Sequence, residues 1–168
     1  LQVPLGVYVP DQWKHLTPHN KGSRSDTFVS FVDFAPTVLS LAGIAAPTAM
    51  DGEAVLGKFL KAASLEKKNT TWGYADRFDE KYDLVRTLRV GNYKYIRNYQ
   101  PFNTDALYNF YRYKMLAYRE WHALYKEGRL SAEQQLFFEP KTAEALYDLE
   151  NDPHEINNLF DDPEHRQT

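Results

Sequence analysis

The stretch YDLVRTLRVGNYKYIRNY, residues 82–99, limits the fold more than any other part of the chain. Two runs of β-favouring residues, 82–90 and 93–99, flank Gly91-Asn92, and such a pair supplies the positive φ angles that a two-residue hairpin turn needs. A hairpin alone is marginally stable in water, so it requires neighbours. The sequence offers two. TTWGYAD (70–76) carries strand-favouring residues, and EALYDLE (144–150) places Ala145, Tyr147 and Leu149 at alternate positions. These four segments can form one antiparallel sheet.

Between the third and fourth strands, Leu107, Tyr111, Tyr118, Trp121 and Tyr125 fall near helical spacing. A long helix over 104–127 is expected, starting after Thr104 or Asp105, ending at Gly128 and lying across one face of the sheet. SAEQ (131–134) has the form of a capping box and opens a shorter helix before Pro140. Upstream, TFVSFVDFAPTVLSLAGI (27–44) reads as a helix. Asp33 and Pro36 suit its first turn, Val38, Leu39, Leu41 and Ala42 its apolar face, and Gly43 a left-handed stop. MDGEAVLGKFL (50–60) predicts a turn at Asp51-Gly52 followed by one or two helical turns. QVPLGVYV (2–9) reads as a strand without a partner among the other four, hence as part of a different sheet. The expected class is α+β: a small antiparallel four-stranded sheet with a long packed helix, preceded by a strand and a helix.

Composition narrows the function. The net charge of −3 gives no sign of a nucleic-acid or membrane-surface partner. The 168 residues include no cysteine, which excludes disulfides, thiolate metal sites and a cysteine nucleophile within this chain. No apolar run approaches the roughly 18 residues of a membrane span. The opening residues have neither a basic leader nor a cleavage site, so they do not read as a signal peptide. Aromatic residues reach 15%, and 12 of them are tyrosines, able to pack a core or to line a carbohydrate surface.

Each polar cluster admits a structural and a chemical reading. DLENDPHE (148–155) spaces oxygen donors like a calcium loop, but Pro153 stands where that loop needs glycine, so a turn with Asp and Asn caging the backbone is preferred. His15 and His19 have i, i+4 spacing with Pro18 between them, against a helical zinc pair. The histidines at 122, 154 and 165 are scattered, and surface or packing roles suit all five. KGSRS (21–25) flanks serine with cations but has no strand–turn–helix elbow, leaving a basic loop that can contact an anion. ADRFDEKYDLVR (75–86) alternates charge at a strand end: surface ion pairing is the preferred reading, a polar cleft for a sugar the other. KYIRN (94–98) says only that its strand is amphipathic. From the residues alone there is no nucleophile, no metal cage and no acid–base pair.

Five blocks in order nevertheless resemble the C-terminal third of a sulfatase of the alkaline phosphatase superfamily, similar to bacterial glycosaminoglycan and heparan-type members. VPLGVYVPDQWKHL resembles the family's VPLIVYxP strand, and SDTFVSFVDFAPTVLSLAGIAAP its VSxVDLAPTLLDLAGIPxP. DGEAVL resembles DGxSLLP, VRTLRVGNYKYIRNY resembles VRTxRYKYIRN, and ALYDLENDPHEINNL resembles ELYDLxxDPxExxNL. The resemblance covers nearly the whole chain.

The resemblance implies a large α/β domain, of which residues 1–68 would be the terminal strand-and-helix portion, beside a small antiparallel one, residues 69–168, and hydrolysis of sulfate esters, of sulfated carbohydrate in the members it matches. In complete members a Cys or Ser in CxPxR or SxPxR becomes formylglycine, and carboxylates hold a divalent cation, usually calcium. This chain has neither motif and no DHG metal motif. No catalytic or metal-binding role therefore transfers to any residue here, and the segment alone is not expected to turn over substrate. Recognition does transfer: GYADRFDE matches a GARDRxDE pattern near the cleft mouth, which makes Asp76 and Arg77 the candidate substrate-binding residues, with Ala75 where an Arg is common. The implied partners are the remainder of the sulfatase chain, with its N-terminal catalytic domain, and a sulfated carbohydrate; the implied location is periplasmic or secreted. A phosphonate or phosphodiester hydrolase of the same superfamily and a non-catalytic carbohydrate-binding module are the alternatives.

Overall fold

A computed structural model describes residues 3–66, 68–78 and 81–165. The chain divides into two compact units, residues 1–71 and 72–168.

The first unit is organised by one helix, α1 (Phe34–Leu41), entered through a 3₁₀ turn at Phe31–Asp33 and ended by Gly43 at φ +74°. Its polar residues Asp33, Thr37 and Ser40 recur at i, i+4 and i+7, so they share one face. That face is buried, and each residue receives a backbone N–H from the loop that follows. Glu53 N donates to Asp33 Oδ1 at 3.0 Å, Val55 N to Thr37 Oγ1 at 3.0 Å and Phe59 N to Ser40 Oγ at 2.9 Å. The helical turns expected over 50–60 are therefore absent: N–H groups taken by α1 side chains cannot serve an i→i−4 ladder. Gly57 lies against α1 at φ +95°, where an added Cβ would collide with the Ser40 and Leu41 backbone. A short helix, α2 (Ala62–Glu66), follows.

The strand expected over 2–9 does not form; Gln2 lies outside the described residues, and 3–10 run without strand pairing. A strand exists only through a ladder partner, and among the described residues the four strands pair with one another. Val3, Leu5, Val7 and Tyr8 are consequently exposed.

The expected sheet is present. β1 (Thr70–Phe78), β2 (Lys81–Val90), β3 (Tyr93–Asn98) and β4 (Glu144–Asp148) form one antiparallel sheet in the order β1-β2-β3-β4. Gly91, at φ +56°, makes the tight turn between β2 and β3. The registers Arg86↔Arg97 and Arg97↔Glu144 run one row across three strands. Beyond β4 the segment 149–160 turns back on the sheet. Leu159 N donates to the Leu146 carbonyl, Leu146 N to Asn158 Oδ1, and Asn158 Nδ2 to the Glu144 carbonyl. The free edge of β4 is thereby satisfied, as an edge strand requires.

The helix expected over 104–127 is confined to α3 (Leu116–Lys126), preceded by a 3₁₀ turn at Arg112–Lys114. Upstream, the Thr104 carbonyl accepts from Lys81 Nζ and the Asp105 carbonyl from the Arg112 guanidinium, while Asn109 Oδ1 accepts from Arg112 N. Side chains hold the groups a helix would have used. Tyr118, Trp121, His122 and Tyr125, one face of α3, pack on Phe137 and Phe138; the Tyr125 and Phe138 rings stack with centres 4.4 Å apart. Those phenylalanines follow α4 (Ala132–Gln135), whose Ser131 and Gln134 make both bonds of the expected capping box.

Candidate functional site

Asp76 and Arg77 lie near the end of β1, an edge strand. Adjacent strand residues point to opposite faces, and their partners differ accordingly. Asp76 Oδ1 meets Arg86 Nη2 at 2.5 Å, whereas the Arg77 guanidinium lies 5.7 Å from the centre of the Tyr82 ring. Plain alternation would put Tyr82 and Arg86 on one face. Leu84, between them, has φ +49°, a conformation rare for a bulky residue. The placement of Gly73 beside the Thr87 hydroxyl is one residue out of step with Arg77 beside Tyr82. This is the arrangement of a β-bulge, which re-aims side chains at a strand edge. Asp76 and Arg77 are thus neighbours in sequence that serve different faces.

The bulge is held by four charges. Lys81 Nζ lies 3.2 Å from Asp83 Oδ1 and 3.0 Å from Asp105 Oδ1; Lys141 Nζ lies 3.0 and 2.9 Å from the same two oxygens. Each lysine therefore bridges both carboxylates. Burial works against the Asp105 charge, but hydrogen bonds from Lys141 and Lys81 outweigh it and hold its carboxyl below the ordinary range. Burial likewise opposes the Lys141 charge, and bonds to Asp105 and Asp83 raise its ammonium above the ordinary range. A left-handed leucine costs on the order of 1 kcal/mol or more and persists where its surroundings over-determine it; Lys81 and Asp83 flank Leu84 in that role.

On the Asp76 side, the face continues across the sheet. Arg86 lies 5.8 Å from the Tyr74 ring centre, and Arg97 stands directly opposite it on β3. Arg97 Nη1 donates to Glu144 Oε1 at 2.8 Å and lies 5.5 Å from the Tyr99 ring centre. The Tyr95 hydroxyl donates to the same Glu144 oxygen at 2.5 Å. Burial and then that bond push the Tyr95 hydroxyl above its ordinary pKa. An arrangement of guanidinium forks and exposed tyrosine faces can bind hydroxyls and anions; it holds no nucleophile.

The remaining sequence candidates stay apart from this region. In KGSRS, Ser23 Oγ donates to the Asn20 carbonyl and Ser25 to Thr27, both exposed. In the tail, Asp148 accepts from Glu150 N and Asn151 Nδ2, and Asp152 from Asn157 N, so these carboxylates cage the turn as expected. His122 is a packing residue between Tyr118 and Phe138. The lysine–aspartate network and the Arg86–Arg97 row were not anticipated. The network joins residues far apart in sequence and left no local signal. The row was open to counting, since a two-residue turn after Val90 puts Arg86 opposite Arg97.

The calcium and formylglycine implied by resemblance do not fit this chain. It has no cysteine and no serine in an SxPxR motif, and among the described residues no three His, Asp or Glu side chains are grouped to hold a metal.

The family model for the C-terminal region of N-sulphoglucosamine sulphohydrolase matches residues 1–127, and the chain belongs to that family. An Ulvan-active sulfatase of Formosa agariphila is 39% identical over 139 residues, 82% of this chain and 23% of the relative. A second Ulvan-active sulfatase of the same organism is 26% identical over 165 residues, 96% of this chain and 30% of the relative. A solved 2-O GAG sulfatase superposes with a TM-score of 0.40 at 21% identity, over 80% of this chain and 20% of that one. The chain spans less than a third of the curated relatives it matches. It is a sulfatase C-terminal region whose relatives are sulfatases.

Proposed function

We propose that this chain is the C-terminal part of an enzyme that hydrolyses sulfate esters on a carbohydrate, and that residues 1–68 complete its larger α/β domain while 69–168 form the small one. The carrying observation is the family match over residues 1–127 joined to sulfatase relatives three to four times as long. The names of those relatives make ulvan the first substrate to try. The formylglycine nucleophile and calcium, which attack and neutralise the sulfate in such enzymes, belong to residues outside this chain. The isolated segment is accordingly inactive. The exposed apolar residues Val3, Leu5, Val7 and Tyr8 supply a surface for the remainder of the protein to cover.

Within the segment, Asp76 and Arg77 contact the sugar at the cleft mouth. Their exposure and polar chemistry support this, and their divergence to two faces gives them separate tasks: Arg77 reaches the ligand from the Tyr82 side, and Asp76 works beside Arg86. A charge-assisted hydrogen bond lost from such a contact weakens binding about tenfold. KM for an ulvan oligosaccharide should therefore rise by about that factor for Arg77→Ala, and less for Asp76→Ala, measured on the full-length protein. Unchanged KM in both variants rejects the site. A native protein whose intact mass equals the segment's 19.6 kDa, with no second chain, rejects the enzyme reading and leaves a binding module.

A further inference from the structure

Residues 109–116, which lead into α3, turn the usual order of burial inside out. The polar side chains go in. Asn109 is buried and its Oδ1 accepts from Arg112 N at 2.9 Å. The Arg112 guanidinium donates to the Asp105 carbonyl and lies 5.6 and 5.1 Å from the Tyr118 and Phe137 ring centres. The large apolar side chains go out: Tyr111 and Leu116 are 77% and 74% exposed, and Phe110 and Met115 are exposed as well. Single exposed apolar residues are ordinary, but a run of neighbouring ones makes a patch, and such patches mark contact surfaces. The charge at this patch has one sign. Residues 106–119 contain Arg112, Lys114 and Arg119 and no acid, so the whole-chain charge of −3 hides a basic spot. Arg112 is turned inward, whereas Lys114 and Arg119 are exposed. Arg119 N donates to the Met115 carbonyl, one helical turn back, so these two residues share a side of α3. Lys114 Nζ lies 4.0 Å from the centre of the Phe110 ring and has no carboxylate partner among the described residues. The acids that bound the run are Asp105, bridged by Lys81 and Lys141, and Glu120.

We propose that Phe110, Tyr111, Met115 and Leu116, with Lys114 and Arg119, form a face that docks on the surface of an anionic phospholipid membrane. The unpartnered ammonium selects lipid over protein. A protein cover over Phe110 would also bury Lys114 and leave its charge without a partner, which is strongly unfavourable. In a headgroup layer the lysine stem lies along the acyl boundary while its ammonium reaches a phosphate. Aromatic side chains favour the same depth, and cations beside them are drawn to anionic headgroups. No described helix is long and apolar enough to cross a bilayer, so this contact lies on the surface. A few side chains and two cations give reversible attachment of the strength of a single acyl chain rather than an anchor. The face is independent of Asp76 and Arg77 on β1, and the proposal does not rest on the reaction assigned above.

The test is co-flotation of the full-length protein with unilamellar vesicles, made of phosphatidylcholine alone or of equal parts phosphatidylcholine and phosphatidylglycerol. The expected result is binding to the anionic vesicles that weakens as salt is raised, and far less binding to the neutral ones. Leu116→Ser should weaken the partition by about tenfold, the scale of one apolar side chain returned to water. Lys114→Gln should weaken it by about fivefold, the scale of one cation near an anionic surface. Both residues are exposed, so the melting temperature of each variant should match the parent's, which keeps a folding defect from passing as lost binding. Equal binding to neutral and anionic vesicles overturns the proposal, as does a partition unchanged in both variants. A lowered melting temperature for Leu116→Ser in the full-length protein would show that the remainder of the enzyme covers the patch. A dimer that Leu116→Ser splits, read by sedimentation equilibrium, would show that a second copy covers it. Either result overturns the membrane contact.

Discussion

Asp33 and Asp76 are both carboxylates in contact with a cation, yet their surroundings give them opposite tasks. Asp33 is fully buried; it accepts the N–H groups of Ser30 and Glu53 and lies 2.6 Å from Lys68 Nζ. Asp76 has 58% of its side-chain surface open, and its named partner is Arg86, also half exposed. A buried charge is tolerable only when its hydrogen bonds are filled, and removing it orphans every donor it served. An exposed pair is solvated in either state and contributes at most about 1 kcal/mol. The number of backbone donors a carboxylate satisfies therefore separates the residues that shape this chain from those that face solvent.

The sharpest way to break that comparison is Asp33→Ala. Two N–H groups and an ammonium lose their acceptor, so stability of the first unit should fall by about 3 kcal/mol, read by urea unfolding followed through Trp13. A loss below about 1 kcal/mol, the scale of an exposed pair, would erase the distinction. The pH dependence carries the same information. Burial raises the Asp33 pKa, but the Lys68 bond and the two backbone bonds outweigh it and hold the folded-state carboxyl below its ordinary value. A carboxyl depressed on folding contributes stability that is present above its unfolded pKa and is lost as pH falls through the folded one. Acid unfolding of the first unit should begin below about pH 4, and Asp33→Asn should flatten that limb.

A middle case lies in the second unit. The Lys81–Asp83–Asp105–Lys141 network is partly buried, so it should behave between the two extremes. Lys141→Met leaves Asp83 and Asp105 sharing one lysine and should cost about 1–2 kcal/mol, checked by thermal unfolding of the second unit. Because the network holds the strained segment at Leu84, the same variant should also let Tyr82 and Arg77 move, visible as altered backbone amide shifts around β2. Stability lost without any such shift would detach the network from the bulge.

Local chemistry explains what could be read from the sequence. Gly91-Asn92 sets a hairpin by itself, Gly43 stops a helix by itself, and SAEQ closes on its own backbone; each signal sits within four residues. The readings that failed involve acceptors or donors supplied from afar. Residues 50–60 look helical until the side chains of Asp33, Thr37 and Ser40 claim their N–H groups. Residues 104–115 keep tyrosines at helical spacing, but Lys81 and Arg112 claim the carbonyls of Thr104 and Asp105. The four strands were legible because alternation is local. The bulge at Leu84 was not, because no turn residue marks it and the charges around it come from residues 81, 83, 105 and 141, far apart in sequence. The same limit applies at the proposed site: the sequence names Asp76 and Arg77 as candidates but says nothing of their separate partners, Arg86 and Tyr82.

The smallest stability effect should come from Asp76→Ala, and it tests the exposed side of the comparison. Removing this carboxylate frees Arg86 from one contact while the Tyr74 ring and the Val85 carbonyl still hold it. Melting temperature should move by no more than the equivalent of about 0.5 kcal/mol, and raising the salt concentration should shrink even that difference. Substrate binding should change more than stability, because this carboxylate is proposed to meet the sugar and holds no backbone N–H of the fold among its named contacts. A KM for an ulvan oligosaccharide raised in the full-length protein by less than the roughly tenfold of Arg77→Ala, at a melting temperature close to the parent's, is the expected pair of readings. A variant that loses stability as Asp33→Ala does, while binding as before, would make Asp76 a structural carboxylate and reverse the contrast with Asp33.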